Sequence, residues 1–426
     1  MTHLICIQDS AFSTMKTDVV ITGMGAVSPH GRGVQALWSG LVKGRSAFSP
    51  LTLFDASMFR NPLAGNVAGY DPEPNGQTRA LRMLLDASRE ALRDAFALDE
   101  GAGDGCIGVK FSGDEAIKHG AIVTGTNFGG MSAAETALVD GARDPSKASL
   151  EKYLCGHAGD ELARRYGIRG PRLNISLSCA SGTAAIGLAF DLVRCGRAEF
   201  VLVCGYDELS LYAYAGLSAL RAITTETIRP FDKRRKGTLF SEGAGAMVVE
   251  SAEHAARRKA PRIHARIMGR ALNNDGFHMT APETEAHGII ALMRAALKDA
   301  SVEPEGVDHI NLHATGTPYN DAIETKAVHA VFGARGHTIP VCSVKSSIGH
   351  TMGAAGVLES IAAVNTLNAG LVPPVLGLEA AEKDPECDLN APIGSPLQGA
   401  FNTILKTSYG FGGTNAAIVL GHPRLN

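Results

Sequence analysis

Residues 175–196 read ISLSCASGTAAIGLAFDLVRCG. Over 173–177 apolar residues alternate with polar ones, the two-residue period of a strand. The small-residue turn SCASG follows, then a run of helix formers that closes at Gly196, a residue suited to a helix C-terminus. The segment reads as strand, tight turn, helix, with Cys179 in the turn. A cysteine placed there stands at the positive end of a helix dipole, which favours thiolate over thiol. Ser181 and Gly182 leave the turn uncrowded, so a carbonyl carbon has room to approach the sulfur. Taken alone, the same cysteine also reads as a small buried hydrophobe. The C-terminal half of the chain decides between the two.

Three later stretches supply groups that a nucleophilic cysteine needs. HATGTPYNDAIE (313–324) opens with His313 at the end of an apolar strand. SVKSSIGH (343–350) carries Lys345 and His350 on either side of a Ser/Gly turn. TSYGFGGTNAAIVL (407–420) sets Phe411 among three glycines. A single histidine at a strand end is usually structural. Two of them, with a lysine and a cysteine at comparable positions, point to one site at the C-terminal edge of an α/β sheet. Metal binding is the rival use of Cys and His, but no short ligand spacing supports it. Asp321 and Glu324 are the natural carboxylates to orient a histidine or hold Lys345 charged, or else simply the acids of an exposed first helical turn.

Working outward, 19–21 reads as a buried strand running into a turn at Gly23–Gly25. The GxGxxG pattern is not completed there, so no dinucleotide site is assigned. Helices are predicted over 34–43, 79–96, 150–165, 289–300, 323–331 and 354–368. Strands are predicted over 121–124, 200–204, 246–250, 263–268, 309–312 and 341–344. The proline-bearing text of 45–75 reads as a surface excursion. A basic run ending at Pro261 is a plausible seam between two halves. Strands alternating with helices give an α/β architecture. The 171–196 and 339–370 segments echo one another: strand, polar turn with a reactive residue, small-residue helix, closing Gly.

The bulk properties exclude several classes. A 426-residue chain with 45% hydrophobic and 19% charged residues has the make-up of an ordinary enzyme, and its formal net charge of -3 offers nucleic acid no footprint. No apolar run is long enough for a membrane span. The first fourteen residues lack the features of a signal peptide. Eight cysteines without CxxC spacing read as reduced thiols of a cytoplasmic protein.

SCASG, HATGTPYND, SVKSSIGH with GAAG after it, and GFGGTN, taken in that order, resemble the signature stretches of β-ketoacyl-[acyl-carrier-protein] synthases of the thiolase superfamily. RPFD (229–232), SEGAG (241–245) and HMTAP (278–282) stand in the matching order, and the likeness runs from about Asp18 to the C-terminus. The elongating type, synthases I and II, is the closer match. The initiating synthases have Asn for one His, and thiolases use a second Cys as base.

The resemblance implies a thiolase-like α/β fold of two related halves in five αβαβα layers. It divides the chain into an N-terminal extension (1–15), a half carrying the nucleophile and cap insertions (16–260), and a half carrying the histidines (261–426). The implied catalytic residues are Cys179, His313, Lys345 and His350. Asp321, Glu324 and Glu359 are the implied supporting carboxylates, with Glu324 the expected partner of Lys345. The backbone N–H groups of Cys179 and Phe411 would form the oxyanion hole, Phe411 acting also as a gate.

Thr315, Thr317, Thr280, Gly412 and Gly413 would bind substrate, and Phe128 would shorten the acyl pocket. Thr238 replaces an aromatic that relatives commonly carry. The implied reaction is decarboxylating condensation of acyl-Cys179 with malonyl-acyl-carrier protein, in fatty-acid or polyketide synthesis. No cofactor or metal is expected, since phosphopantetheine arrives on the carrier protein. The partners would be that carrier protein and a second copy of the chain, or a related subunit in a heterodimer. The other readings are an acyltransferase of the same fold that does not condense, and a pocket-shaping partner subunit of a ketosynthase heterodimer.

Overall fold

The computed structural model describes residues 17–70, 77–96, 119–143 and 151–423, so the expected extension over 1–15 lies outside the described residues. Five strands, β1 (Val19–Ser28), β2 (Ala121–Gly125), β3 (Arg172–Ile175), β4 (Phe200–Asp207) and β5 (Gly243–Ser251), come from the first part of the chain. Five more, β6 (Ala265–Asn274), β7 (His309–Asn311), β8 (Val341–Cys342), β9 (Thr403–Gly410) and β10 (Thr414–Gly421), come from the second. Across the principal sheet they lie in the order β8-β7-β9-β10-β6-β1-β5-β4-β2-β3.

That order is a duplication. The first five run β1-β5-β4-β2-β3 and the second five β6-β10-β9-β7-β8, so each strand has a counterpart five numbers on. Directions agree as well. β2 is parallel to β3 and β4, and β5 is antiparallel to β4 and β1. β7 is parallel to β8 and β9, and β10 is antiparallel to β9 and β6. The two sets meet where β1 and β6 pair antiparallel, with Val20 opposite Arg266.

The helices used below are α1 (Val34–Val42), α2 (Arg79–Phe96), α3 (Met131–Arg143), α4 (Cys155–Tyr166), α5 (Ser181–Arg194), α6 (Leu211–Ala219), α7 (His287–Ala300), α8 (Pro318–Phe332) and α9 (Ala355–Ala369). α2 and α4 cover the outer face of the first five strands, while α7 and α8 lie outside the second five. α5 and α9 sit between the two sets and touch both. This is the five-layered thiolase-like arrangement.

Side chains of β2, β4 and β5 sort by alternation. Ile122, Leu202 and Val248 face α2 and α4, whereas Val123, Val203 and Val249 face the middle layer. With both faces covered, the strands read as near-continuous apolar runs, and each fully buried Val or Leu contributes about 1.5–3 kcal/mol.

Several sequence expectations are corrected here. Gly23 and Gly25 form no turn: β1 continues through them, with a register shift against β5 between Ile21 and Gly23. A Cβ on either would fall on a carbonyl oxygen of α2, that of Ala91 or Ala87, so glycine is what lets the helix lie against the strand. Of the 45–75 excursion, the described part, 45–70, contributes to the core, because Leu51, Ala64 and Tyr70 are buried and 49–50 pairs with 63–64. The strand expected to 344 stops at Cys342, and Lys345 opens a helical turn. α8 starts five residues earlier than predicted, with Pro318 in its first turn, where the missing N–H costs nothing. β9, β10, α3 and α6 carried no prediction.

Candidate active site

Cys179 lies between β3 and α5 on a turn held by its own side chains. Ser178 takes a left-handed φ of 50°. The Ser181 hydroxyl accepts from the Leu177 N–H (2.8 Å) and donates to the Ser178 carbonyl (2.7 Å), closing the turn. α5 then crosses α9 at very short range. A Cβ on Gly182 would lie 2.8 Å from the Gly353 carbonyl oxygen, and one on Gly356 would strike the Thr183 N–H. This crossing accounts for Gly182 and Thr183, while Ala184 is buried on another side, against Ala180 and Ala416 of β10.

His350 approaches from the turn that precedes α9, with Nε2 2.9 Å from Cys179 Sγ. The Met352 N–H donates to its Nδ1 (3.2 Å), so the neutral ring carries its hydrogen on Nε2, directed at the sulfur. His313 follows β7 and meets His350 edge-on, ring centroids 5.5 Å apart at 86°. Sγ and the nearest nitrogens of both rings lie within 4.8 Å of one another, a cluster compact enough for a metal ion. An Nε2–H aimed into that space makes the cluster a hydrogen-bond donor to a carbonyl oxygen.

Burial sets the protonation states. It pushes the Cys179 thiol up to about 12, with Lys345 pulling the other way. The dipole at the start of α5 therefore does not yield a resting thiolate, contrary to the sequence expectation. Burial also holds both imidazoles well below their usual range, with Lys345 adding to the effect. At neutral pH the resting pair is thiol and neutral imidazole.

Lys345 is fully buried, and its partner is Glu359 on α9, not Glu324. Glu324 is occupied elsewhere: it accepts the N–H groups of His313 (2.9 Å) and Ala314 (2.8 Å) and the Thr407 hydroxyl (3.0 Å). It fixes the backbone that carries His313. Asp321 is likewise buried, and it accepts the N–H groups of Phe231 (3.1 Å) and Gly316 (3.2 Å).

Cys179, His313 and His350 line a cavity of about 430 Å³. Thr315 and Thr317, whose hydroxyls pair at 2.9 Å, line it too, with Thr280, Phe411 and Gly413. Phe411 rides on a loop whose Gly412 and Gly413 take φ of 84° and 73°. That loop is tied to the 274–279 stretch: the Gly412 N–H donates to Met279 O (2.7 Å), and the Asp275 N–H to Gly413 O (2.8 Å). Phe128 does not line the cavity but packs behind it, in the apolar cluster of Tyr214, Phe240 and Met352.

Residues 16–255 match the family model for the β-ketoacyl synthase N-terminal domain, and residues 264–379 match the β-ketoacyl synthase C-terminal domain. The chain belongs to the β-ketoacyl synthase family. This synthase is 33% identical over 423 residues to 3-oxoacyl-[acyl-carrier-protein] synthase 2 of Coxiella burnetii, covering 95% of this chain and 98% of that one. It is 35% identical over 416 residues to nodulation protein E of Rhizobium meliloti (strain 1021), covering 95% and 99%. Among solved structures, the ishigamide ketosynthase/chain length factor superposes with a TM-score of 0.86 at 32% identity, covering 96% of this chain and 100% of that chain.

Three residues of the synthase's site escaped the sequence reading. Phe240 stacks on His350 (5.6 Å, 27°), two residues beyond Thr238 in a stretch whose Leu239 carbonyl accepts the His350 N–H (2.8 Å). Asp207 accepts the N–H groups of Phe128 (2.9 Å) and Gly353 (2.7 Å), joining the loop after β2 to the start of α9. Lys406, on the unpredicted β9, is fully buried beside Glu359.

Proposed function

We propose that this synthase catalyses the decarboxylating Claisen condensation of an acyl group on Cys179 with malonyl-acyl-carrier protein, giving β-ketoacyl-carrier protein. The Cys179 sulfur attacks the carbonyl carbon of an acyl-carrier protein thioester, and the pantetheine thiol leaves with the proton. The malonyl C–C bond then breaks, CO₂ departs, and the electron pair stays as an enolate. Its carbon attacks the Cys179 thioester and releases the cysteine as thiolate, which takes up a proton from solvent to restore the thiol. Within this reading, His313 and His350 donate to the enolate oxygen, and the N–H groups of Cys179 and Phe411 form the oxyanion hole of the acyl steps. Lys345 supports the site electrostatically, and Thr280, Thr315, Thr317, Gly412 and Gly413 guide the pantetheine arm.

One observation carries this reading: the Met352 N–H occupies His350 Nδ1 and leaves Nε2–H facing the sulfur. Such a ring donates to an oxyanion and is poorly placed to take a proton from the thiol. That favours condensation over simple acyl transfer, and the presence of Cys179 argues against a non-catalytic partner subunit.

The halves 16–260 and 261–426 act together, the first bringing the nucleophile and the second the histidines. We place the synthase in the cytoplasm as a homodimer. Supporting this are free thiols, the absence among the described residues of any helix long and apolar enough to cross a membrane, and the terminal strand β3 with Leu173 partly exposed. A heterodimer with a related subunit is the other outcome of a sedimentation measurement.

Intact-mass spectrometry tests the function. Wild type should gain an acyl adduct from acyl-carrier protein and discharge it into a ketoacyl product when malonyl-carrier protein is added, while Cys179→Ala should do neither. An adduct that malonyl-carrier protein never discharges would overturn condensation in favour of acyl transfer.

A further inference from the structure

Glu359 serves two lysines. One of its oxygens meets Lys345 Nζ, and the other lies 2.7 Å from Lys406 Nζ, at an angle poor for a hydrogen bond. Lys406 comes from β9, Lys345 from the turn after β8, and Glu359 from α9, and all three are at most 2% exposed. Two ammonium groups on one carboxylate leave one positive charge in excess. Burying such a charge is costly unless hydrogen bonds satisfy it.

The surroundings of Lys406 lead to the reacting residues. Its ammonium donates to Thr407 O and to Ser408 Oγ (2.8 Å), and Ser408 Oγ lies 2.8 Å from Thr183 Oγ1, at the start of α5. Thr407 in turn binds Glu324, which holds His313. Tyr409, three residues on, packs edge-on against the His313 ring at 5.6 Å. The titratable groups that face Lys406 are thus Glu359 and Lys345, Glu324 from α8, Cys342 from β8, and the two histidines. Burial, the first cause, lowers the Lys406 ammonium from its ordinary value, and Glu359 opposes this.

We propose that Lys406 is a positioning residue of the condensation step: by sharing Glu359 with Lys345, it keeps a second buried positive charge behind the histidine pair, where the malonyl-derived enolate forms. This rests on the condensation reading above. During decarboxylation the malonyl C–C bond breaks, CO₂ leaves without the electron pair, and the negative charge moves onto the thioester oxygen facing the histidines. A fixed buried cation favours that shift and disfavours protonation of either ring. Acylation of Cys179 creates no lasting charge at this place and gains little from it.

The experiment compares Lys406→Met, which removes the charge, with Lys406→Arg, which keeps it. CO₂ release from malonyl-carrier protein, Cys179 acylation and the acid limb of the decarboxylation profile are measured on each. For Lys406→Met we expect kcat for decarboxylation to fall about tenfold or more, with KM and the acylation rate nearly unchanged. Its acid limb should move up by about one pH unit. Lys406→Arg should recover most of both. Where methionine prevents folding, Lys406→Gln, which can still bond Ser408, takes its place. Wild-type kcat and an unmoved acid limb in a folded charge-less variant would overturn the proposal, as would an arginine variant no better than methionine. A wild type that never decarboxylates malonyl-carrier protein would instead overturn the condensation reading itself.

Discussion

Glu324 lends itself to a quantitative prediction, because its surroundings are fully enclosed and its partners are few. Burial raises its carboxyl from the ordinary 4.5 to about 7, against the N–H groups of Ala314 and His313 and the Thr407 hydroxyl. A carboxyl whose pKa is raised on folding binds its proton more tightly in the folded state. Its contribution to stability is therefore complete below about pH 4.5 and is lost as pH rises through 7. Glu324→Gln keeps the shape and an acceptor oxygen but removes the titration. Other groups are common to both proteins and cancel in the difference between them.

Between pH 5 and 8 the unfolding free energy of wild type should thus fall by about 2–3 kcal/mol relative to Glu324→Gln. Guanidinium unfolding at half-unit pH steps measures this. A difference that stays flat across the range, or one that grows with pH, would refute the reasoning that a dry carboxyl positions His313.

Three further outcomes are expected. Gly25→Ala should lower stability by about 1–3 kcal/mol, seen as a drop in Tm, because its Cβ falls on the Ala87 carbonyl; an unchanged Tm would mean that α2 does not press on β1. A histidine NMR titration should find neither His313 nor His350 gaining a proton near 6.5, because burial lowers both; a midpoint at the ordinary value would contradict their burial beside Lys345. Phe128→Gly should shift the products toward longer acyl chains by loosening the cluster behind Phe240, and an identical chain-length profile would remove Phe128 from substrate selection.

What could be read in advance was what local pattern encodes. Alternation and helix-forming runs located most of the elements, α2 to the residue, and the four motifs brought together Cys179, His313, Lys345 and His350. What could not be read depends on contacts between distant elements. Gly23 and Gly25 look like a turn until α2 is laid across β1. β9 shows no alternation because both of its faces are covered, and so Lys406 gave no sign of being buried. Sequence pairs Lys345 with Glu324 because Glu324 belongs to one of the signature stretches, whereas Glu359 stands inside an apolar helical run and reaches the lysine only once α9 packs against the middle of the molecule. The protonation of Cys179 was misjudged for a related reason. A helix dipole can be inferred from sequence, but the desolvation that outweighs it depends on what covers the turn.

The duplication explains why the chemistry lies where it does. α5 and α9 are equivalent helices following the equivalent strands β3 and β8, and their N-terminal ends meet at Gly182 and Gly356. The residues just before them, Cys179 and His350, are thereby brought into contact from opposite halves. The loops after the equivalent strands β2 and β7 flank this point, and each is clamped by a buried carboxylate. Asp207 holds Asn127 and Phe128, while Glu324 holds His313 and Ala314. Burial raises both carboxyls, to about 6 and about 7, so both clamps bear the same kind of desolvation cost. One loop of the pair delivers a histidine to the sulfur, and the other delivers a phenylalanine to the apolar cluster behind it. The two halves thus share a scaffold and put it to different uses: one side of the junction carries the imidazoles, and the other carries an apolar wall.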